Sequence, residues 1–168
     1  DSIYPVSADS TLPFEQHRDI FYLSGIDQEE SILVLFPDSK KNSFKEMLFI
    51  RETNDHITHW EGEKLTKEKA KDISGINNIY WTNEFENILI QIIKQSNNVY
   101  INTNEHYRQN VETQTREDRF IEELKKIGGI NFKKSNPILQ KQRSIKDEIE
   151  IRLIAVSYTH LRAHETEL

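Results

Sequence analysis

Four short runs of consecutive apolar residues constrain the fold more than any other feature of the sequence. Within each run, apolar side chains follow one another without alternating with polar ones. Continuous runs of this kind are typical of strands that are covered on both faces. The sequence therefore predicts a buried sheet formed by Ile32–Phe36, Met47–Ile50, Ile79–Trp81 and Val99–Ile101.

The segments between these runs predict how the strands are connected. Residues 37–46 are mostly polar and too few for a crossover helix, so the first two strands are expected to form an antiparallel hairpin. From Phe85 to Ile93, apolar residues recur at helical spacing. A helix there, between Trp81 and Val99, predicts a right-handed strand–helix–strand unit.

Three further segments favour helices and complete the predicted fold. Residues 113–127 have one apolar face and are followed by the glycine pair 128–129, which favours a helix end. Residues 66–72 predict a short helix with little burial, and residues 143–155 predict an amphipathic helix. The expected fold is a single α/β domain with a mixed β-sheet flanked by helices.

Composition excludes several functional classes. A net charge of −6 and a pI of about 5.6 argue against a nucleic-acid partner or binding to an anionic membrane. The chain contains no cysteine, which excludes disulfides, thiolate nucleophiles and cysteine-ligated zinc. No apolar run approaches the roughly 20 residues of a membrane span. The first residue is Asp1 rather than Met, so the sequence does not test for a signal peptide.

Two histidine pairs are candidate metal ligands. His56 and His59 lie in a polar stretch, where we expect solvated loop histidines; a small metal site is the alternative. His160 and His164 have helical i, i+4 spacing, but Leu161 stands where a zinc peptidase of the H-E-x-x-H type needs its glutamate. Neither pair predicts catalysis.

The turn after "FYLSG" offers carboxylates but no convincing catalytic set. Gly25 is expected to adopt a positive φ after a short helix or strand. Asp27, Glu29 and Glu30 could suggest a glycosidase pair, but adjacent acids without an apolar pocket favour a solvated turn. Ser24 lies outside any G-x-S-x-G elbow, and no glycine-rich phosphate loop occurs.

Trp60 is a large aromatic residue within the polar stretch "NDHITHWEGE". One interpretation is a lid on the hydrophobic core. The other is an exposed aromatic that contacts a ligand or a partner, since tryptophan is enriched at binding hot spots.

Three motifs, in this order, resemble the N-terminal domain of Xaa-Pro aminopeptidases (aminopeptidase P), members of the creatinase/prolidase-like metallopeptidases. They are "YPVSADSTLPFEQHRDIFYLSGIDQEESILVLF", "LFIRETNDHITHWEGEKL" and "RSIKDEIEIRLIA". The likeness extends over most of residues 3–155. "FYLSGID" and "WEG" are its most specific parts, and "YPVSADSTLPF" favours the aminopeptidases over prolidases and creatinase-like relatives.

The resemblance implies a two-domain parent whose N-terminal domain is an α/β domain with a mixed sheet. It implies a C-terminal catalytic domain in which two Asp, one His and two Glu hold two divalent metals, usually manganese. A metal-bridging hydroxide would then attack the peptide bond before proline. All five ligands fall downstream of the helix matched by residues 143–155, so no catalytic or metal-ligating residue is assigned in this chain.

The resemblance also implies a role for Trp60. In oligomeric members, a loop of this domain reaches the active site of an adjacent subunit and offers an aromatic residue to the substrate. The matching position is Trp60, in the pattern R-x8-W-E-G that begins at Arg51. The expected function is thus a non-catalytic domain that contributes oligomer contacts and shapes the substrate site.

The expected partners are its own catalytic domain, further copies of the chain and a proline-containing peptide, in the cytoplasm. A stand-alone binding or assembly module of the same fold, without peptidase activity, is the alternative.

The resemblance divides the chain into three parts. Residues 1–142 form the aminopeptidase P N-terminal-like domain, although the strand expected before "YPVSAD" is absent. Residues 143–155 form a helix leading to the missing catalytic domain. Residues 156–168, "VSYTHLRAHETEL", look like translated cloning sequence and are expected to be a non-native tail.

Overall fold

A computed structural model describes residues 5–7, 10–54, 57–59, 62–102 and 114–165. In these ranges the strands are β1 (Pro5–Ser7), β2 (Ser10–Thr11), β3 (Ile32–Leu35), β4 (Glu46–Ile50), β5 (Ile79–Trp81), β6 (Asn98–Ile101) and β7 (Asn131–Lys134). The helices are α1 (Arg18–Ser24), α2 (Lys67–Ser74), α3 (Phe85–Ile93), α4 (Arg116–Lys125), α5 (Asn136–Ser144) and α6 (Glu148–Glu165).

The central sheet is mixed, as the sequence predicts. β3 and β4 form the expected antiparallel hairpin, with Leu33 opposite Leu48. β5 joins the other edge of β4 in parallel, with Leu48 opposite Ile79. The strand order β3-β4-β5 therefore places β4 in the middle, and α2 provides the crossover from β4 to β5.

The strand–helix–strand prediction is correct in element order but wrong in strand pairing. In the described structure, β6 hydrogen-bonds in parallel with β7, not with β5. The sequence does not predict β7, because its residues, "NFKK", contain one apolar side chain, Phe132, and the other three are exposed. A strand without an apolar run gives no periodic signal.

β4 divides the hydrophobic core between two faces of the sheet. Its four apolar residues, Met47–Ile50, are fully buried. Because successive side chains of a strand point to opposite faces, alternate residues of β4 contact different clusters. Leu48 and Ile50 pack with Ile26, Ala70 and Ile76, whereas Met47 and Phe49 pack with Phe44 and Ile92. The prediction that this run is covered on both faces is confirmed.

Helix α1 ends as the sequence predicts. Gly25 has φ +67°, and its N–H donates to the carbonyl of Phe21 at 2.7 Å. This left-handed cap disfavours any residue with a Cβ. An added Cβ would also meet Ile73 Cγ2 at 3.4 Å. The turn that follows α1 therefore starts from a conformation that glycine favours.

Polar contacts connect α1 to the second half of the chain. His17 caps the helix, its Nδ1 accepting from the Asp19 N–H at 3.2 Å. His17 Nε2 lies 2.7 Å from the side-chain amide of Asn102, just after β6. The buried Asp19 forms an ion pair with Arg143 of α5, Nη1 to Oδ1 at 2.9 Å. These contacts fix α1 relative to both β6 and α5.

The predicted helix over residues 143–155 is wrong at its start. α5 ends at Ser144, and α6 begins after Asp147. Asp147 Oδ1 accepts from the Glu150 N–H at 2.8 Å, and Glu150 Oε2 accepts from the Asp147 N–H at 3.0 Å. This reciprocal capping box starts a new helix at that point. α6 extends to Glu165, and none of the described helices is long and apolar enough to cross a membrane.

Truncating a side chain of β4 should lower the free energy of unfolding much more than truncating a side chain of its neighbour β3. We expect Leu48→Ala to lower the free energy of unfolding by about 2–5 kcal/mol, because it leaves a cavity in a fully buried site. The matched variant Leu35→Ala removes a side chain that is 52% exposed and should cost less than about 1 kcal/mol. Urea denaturation followed by circular dichroism measures both, and equal losses would contradict a core organised by β4.

Candidate functional site

The candidate site is the connecting segment between β4 and α2, residues 51–65. It begins directly after the buried strand β4 and ends just before Thr66, whose Oγ1 caps α2 by accepting from the Lys69 N–H at 3.2 Å. The segment contains the R-x8-W-E-G pattern. Residues 55, 56, 60 and 61 lie outside the described residues, and with them the predicted substrate-contacting residue Trp60.

A single carboxylate connects both ends of the connecting segment. Glu29 Oε1 lies 2.5 Å from Lys64 Nζ and 3.4 Å from Arg51 Nη1. Arg51 opens the segment and Lys64 stands one residue before its end. The Glu29 side chain is only 7% exposed, so the carboxylate contacts these cations largely out of water.

This geometry overturns the solvated-turn prediction for Glu29. Asp27 is exposed, as expected, and Glu30 is half-buried with φ +57°. Glu29 is instead buried and contacts two cationic side chains that lie 22 and 35 residues further along the chain. No local pattern in the sequence signals partners at that separation. Since two cations hold the Glu29 carboxylate, its role is that of an anchor rather than a general acid or base.

Gln28 provides a second attachment for the same segment. Its side-chain Oε1 accepts from the Leu65 N–H at 2.7 Å. Its carbonyl accepts from Gln16 Nε2 and from the Ser31 hydroxyl, both at 2.8 Å. The turn that bears Gln28 is thus fixed from two sides, and it in turn fixes the C-terminal end of the connecting segment.

A short helical turn forms inside the segment at residues 57–59, where the sequence predicted a loop. Asn54 caps it: its Oδ1 accepts from the Ile57 N–H at 2.9 Å, and its carbonyl accepts from the Thr58 N–H at 2.9 Å. Asparagine is a preferred residue for such a cap. Local capping by Asn54 thus stabilises the helical turn at residues 57–59.

The histidine pairs are brought into no metal arrangement within the described part of the chain. There, no group of three or more His, Asp or Glu side chains could hold a metal ion. His59 is exposed on the helical turn, and His56 lies outside the described residues. His160 and His164 fall in α6 with their predicted helical spacing, but their side chains are not among those described.

The surroundings of Glu29 keep it ionised. Burial by itself raises the pKa of this carboxyl. The hydrogen bond from Lys64, a backbone N–H and the charges of Lys64 and Arg51 oppose that effect, and the net pKa lies below its ordinary value of 4.5. At neutral pH the ion cluster is therefore fully formed.

Acid should weaken the fold through Glu29. Because the folded-state pKa is lower than the unfolded one, the contribution of Glu29 is complete above the unfolded value and is lost as pH falls through the folded value. We expect urea titrations between about pH 7 and about pH 3 to show a smaller loss of stability on acidification for Glu29→Gln than for the wild type. Glu30→Gln is the control and should follow the wild type. Parallel curves for Glu29→Gln and wild type would contradict the assignment.

Sequence comparison identifies the family to which this fold and segment belong. The family model for the aminopeptidase P N-terminal domain matches residues 1–100. An Xaa-Pro aminopeptidase of Haemophilus influenzae is 27% identical over 94% of this chain. Xaa-Pro aminopeptidase 3 of Dictyostelium discoideum is 28% identical over 90% of it. These matches cover 35% and 28% of the two relatives, so the chain spans about a third of their length.

Solved structures agree with the sequence relatives. An aminopeptidase P-like protein of Bacillus anthracis superposes with a TM-score of 0.78 at 25% identity, over 91% of this chain and 36% of that protein. Aminopeptidase P of Escherichia coli superposes with a TM-score of 0.69 at 23% identity, over 90% of this chain and 35% of the enzyme, which shows the shared fold. The chain belongs to the aminopeptidase P N-terminal domain family.

Proposed function

We propose that this chain is the non-catalytic N-terminal domain of a manganese-dependent Xaa-Pro aminopeptidase. The observation that carries the proposal is the family match over residues 1–100, together with relatives that are Xaa-Pro aminopeptidases about three times as long as the matched region. The peptide bond before proline is then cleaved by residues in the remaining length of the parent. This domain supports that site.

The metals of such an enzyme do not fit the residues described here. In the described ranges, no cluster of three His, Asp or Glu donors occurs. Glu29 is the buried carboxylate that joins the two ends of the connecting segment, and it forms ion pairs with Lys64 and Arg51. A carboxylate held in this way is a poor ligand for a divalent ion, because the two cations already occupy its oxygen and repel the metal. The proposal places both metal ions away from the described residues, and no catalytic step is assigned to these residues.

The connecting segment is the proposed contribution of this domain to substrate binding. Its two ends are attached to the turn at Gln28 and Glu29, and it contains Trp60. The proposed role of Trp60 is to contact a proline-containing peptide in the active site of an adjacent subunit. An aromatic contact of this kind contributes about 1 kcal/mol.

The exposed apolar side chains of helix α6 support a contact with another part of the parent. Four of the helix's large apolar side chains that precede the suspected non-native tail are each more than half exposed: Ile149, Ile151, Leu153 and Ile154. A helix that is apolar on several sides is normally covered. The proposed partner is the catalytic domain of the same parent, in a cytoplasmic homo-oligomer.

Peptidase assays test the division of function directly. The purified chain should release no N-terminal residue from an Xaa-Pro peptide in the presence of Mn²⁺, whereas the full-length parent should. Turnover by the chain alone would refute the proposal. A full-length parent that lacks turnover and binds no manganese would instead favour the stand-alone binding module.

Replacing Trp60 in the full-length parent tests its proposed contact. Trp60→Ala should lower kcat/KM on proline-containing peptides about fivefold, the equivalent of about 1 kcal/mol, and should leave the metal content unchanged. The control is His59→Ala, which removes the neighbouring exposed side chain and should leave kcat/KM unaltered. An unchanged value for Trp60→Ala would remove this residue from the substrate site.

A further inference from the structure

We propose that Glu29 is a positioning residue for the connecting segment, because one carboxylate fixes both of its ends. The inference stands on the contacts of Glu29 with Arg51 and Lys64. Only its consequence for peptide turnover rests on the proposed function. No pattern in the sequence assigns this role, and the expectation from the sequence was a solvated acid.

The connecting segment is a loop whose ends must be brought together. One end is fixed because it continues the buried strand β4, and the other because it leads into α2. Bringing the ends of a flexible loop together costs entropy. Glu29 offsets this cost on both sides, since Arg51 and Lys64 contact the same Oε1 atom. Arg51 and Lys64, at the two ends of the segment, are thereby held to one carboxylate.

The turn that bears Glu29 is itself well fixed. Ser31 is 2% exposed and donates from its hydroxyl to the Gln28 carbonyl, which also accepts from Gln16. Gln28 Oε1 accepts from the N–H of Leu65, the residue that follows Lys64, and Lys64 itself contacts Glu29. A carboxylate on a fixed turn can define the position of a segment, whereas one on a free turn would move with it.

Burial distinguishes this ion pair from others nearby. The side chains of Glu29 and Lys64 are 7% and 11% exposed, so removing one charge leaves the other poorly solvated and without its counter-ion. Glu63 also forms an ion pair, with Lys69, but these side chains are 74% and 54% exposed. Exposed pairs contribute little. Glu63 therefore provides a matched control that lies in the same segment.

Amide hydrogen exchange of the 168-residue chain tests the inference. We expect Glu29→Gln to speed exchange across residues 52–63 by about tenfold or more beyond any acceleration of β4, because the segment opens locally in addition to any global unfolding. Glu63→Gln should leave these rates within about twofold of the wild type. Equal rates in Glu29→Gln and wild type would overturn the proposal. So would an equal acceleration of β4, which would make Glu29 a general stabilising residue.

A pair of Lys64 variants provides a second, independent test. Lys64→Met removes the charge and should reproduce the faster exchange of residues 52–63. Lys64→Arg keeps a cation beside Glu29 and should restore slow exchange, because charge and hydrogen-bond donors are both retained. Identical exchange in the two Lys64 variants would contradict a role for the Glu29 ion cluster.

The full-length parent separates this inference from the proposed function. If the segment contacts substrate, Glu29→Gln should lower kcat/KM and leave the metal content unchanged. Fast exchange of residues 52–63 combined with normal kcat/KM would support Glu29 as a positioning residue and contradict the substrate role of the segment.

Discussion

The complete burial of strand β4 is the constraint on which the rest of the structure depends. Met47–Ile50 supply side chains to both core clusters, so neither face of the sheet can pack without this strand. The same strand is paired on both edges, antiparallel with β3 and parallel with β5. The connecting segment begins at the next residue, Arg51, and one of its ends is therefore attached to the fully buried strand of the domain.

The polar contacts at the two ends of the connecting segment are more specific than the apolar packing of the core. Apolar packing tolerates many side chains of similar volume, whereas the Glu29 cluster requires opposite charges at specific distances from Lys64 and Arg51. Compared with a well-packed apolar replacement, such a buried ion pair contributes little net stability, but the loss of one partner is costly because the other charge is left buried and uncompensated. The combination of an apolar strand and a specific ion cluster defines where the segment starts and ends, which is the property that the proposed role in a neighbouring active site would require.

Local signals were sufficient for the central part of the fold and insufficient for the site. The apolar runs of β3, β4 and β5, and the helical spacing of apolar residues in α3, predicted the mixed sheet because buried elements need apolar residues in a recognisable pattern. The polar strand β7 has no such pattern. The capping box at Asp147 divides a helix that apolar spacing alone predicted as continuous. Glu29 was misjudged because its burial depends on cations far along the chain.

The central claim is that this domain supports a metallopeptidase reaction whose metal ions are bound elsewhere in the parent. Paramagnetic Mn²⁺ broadens amide NMR signals close to a bound ion, so titrating it into the isotopically labelled chain tests that claim most directly. The account predicts weak, unsaturable broadening confined to exposed acidic residues. Strong and saturable broadening centred on a few residues of this chain would show a manganese site within it and would contradict the account.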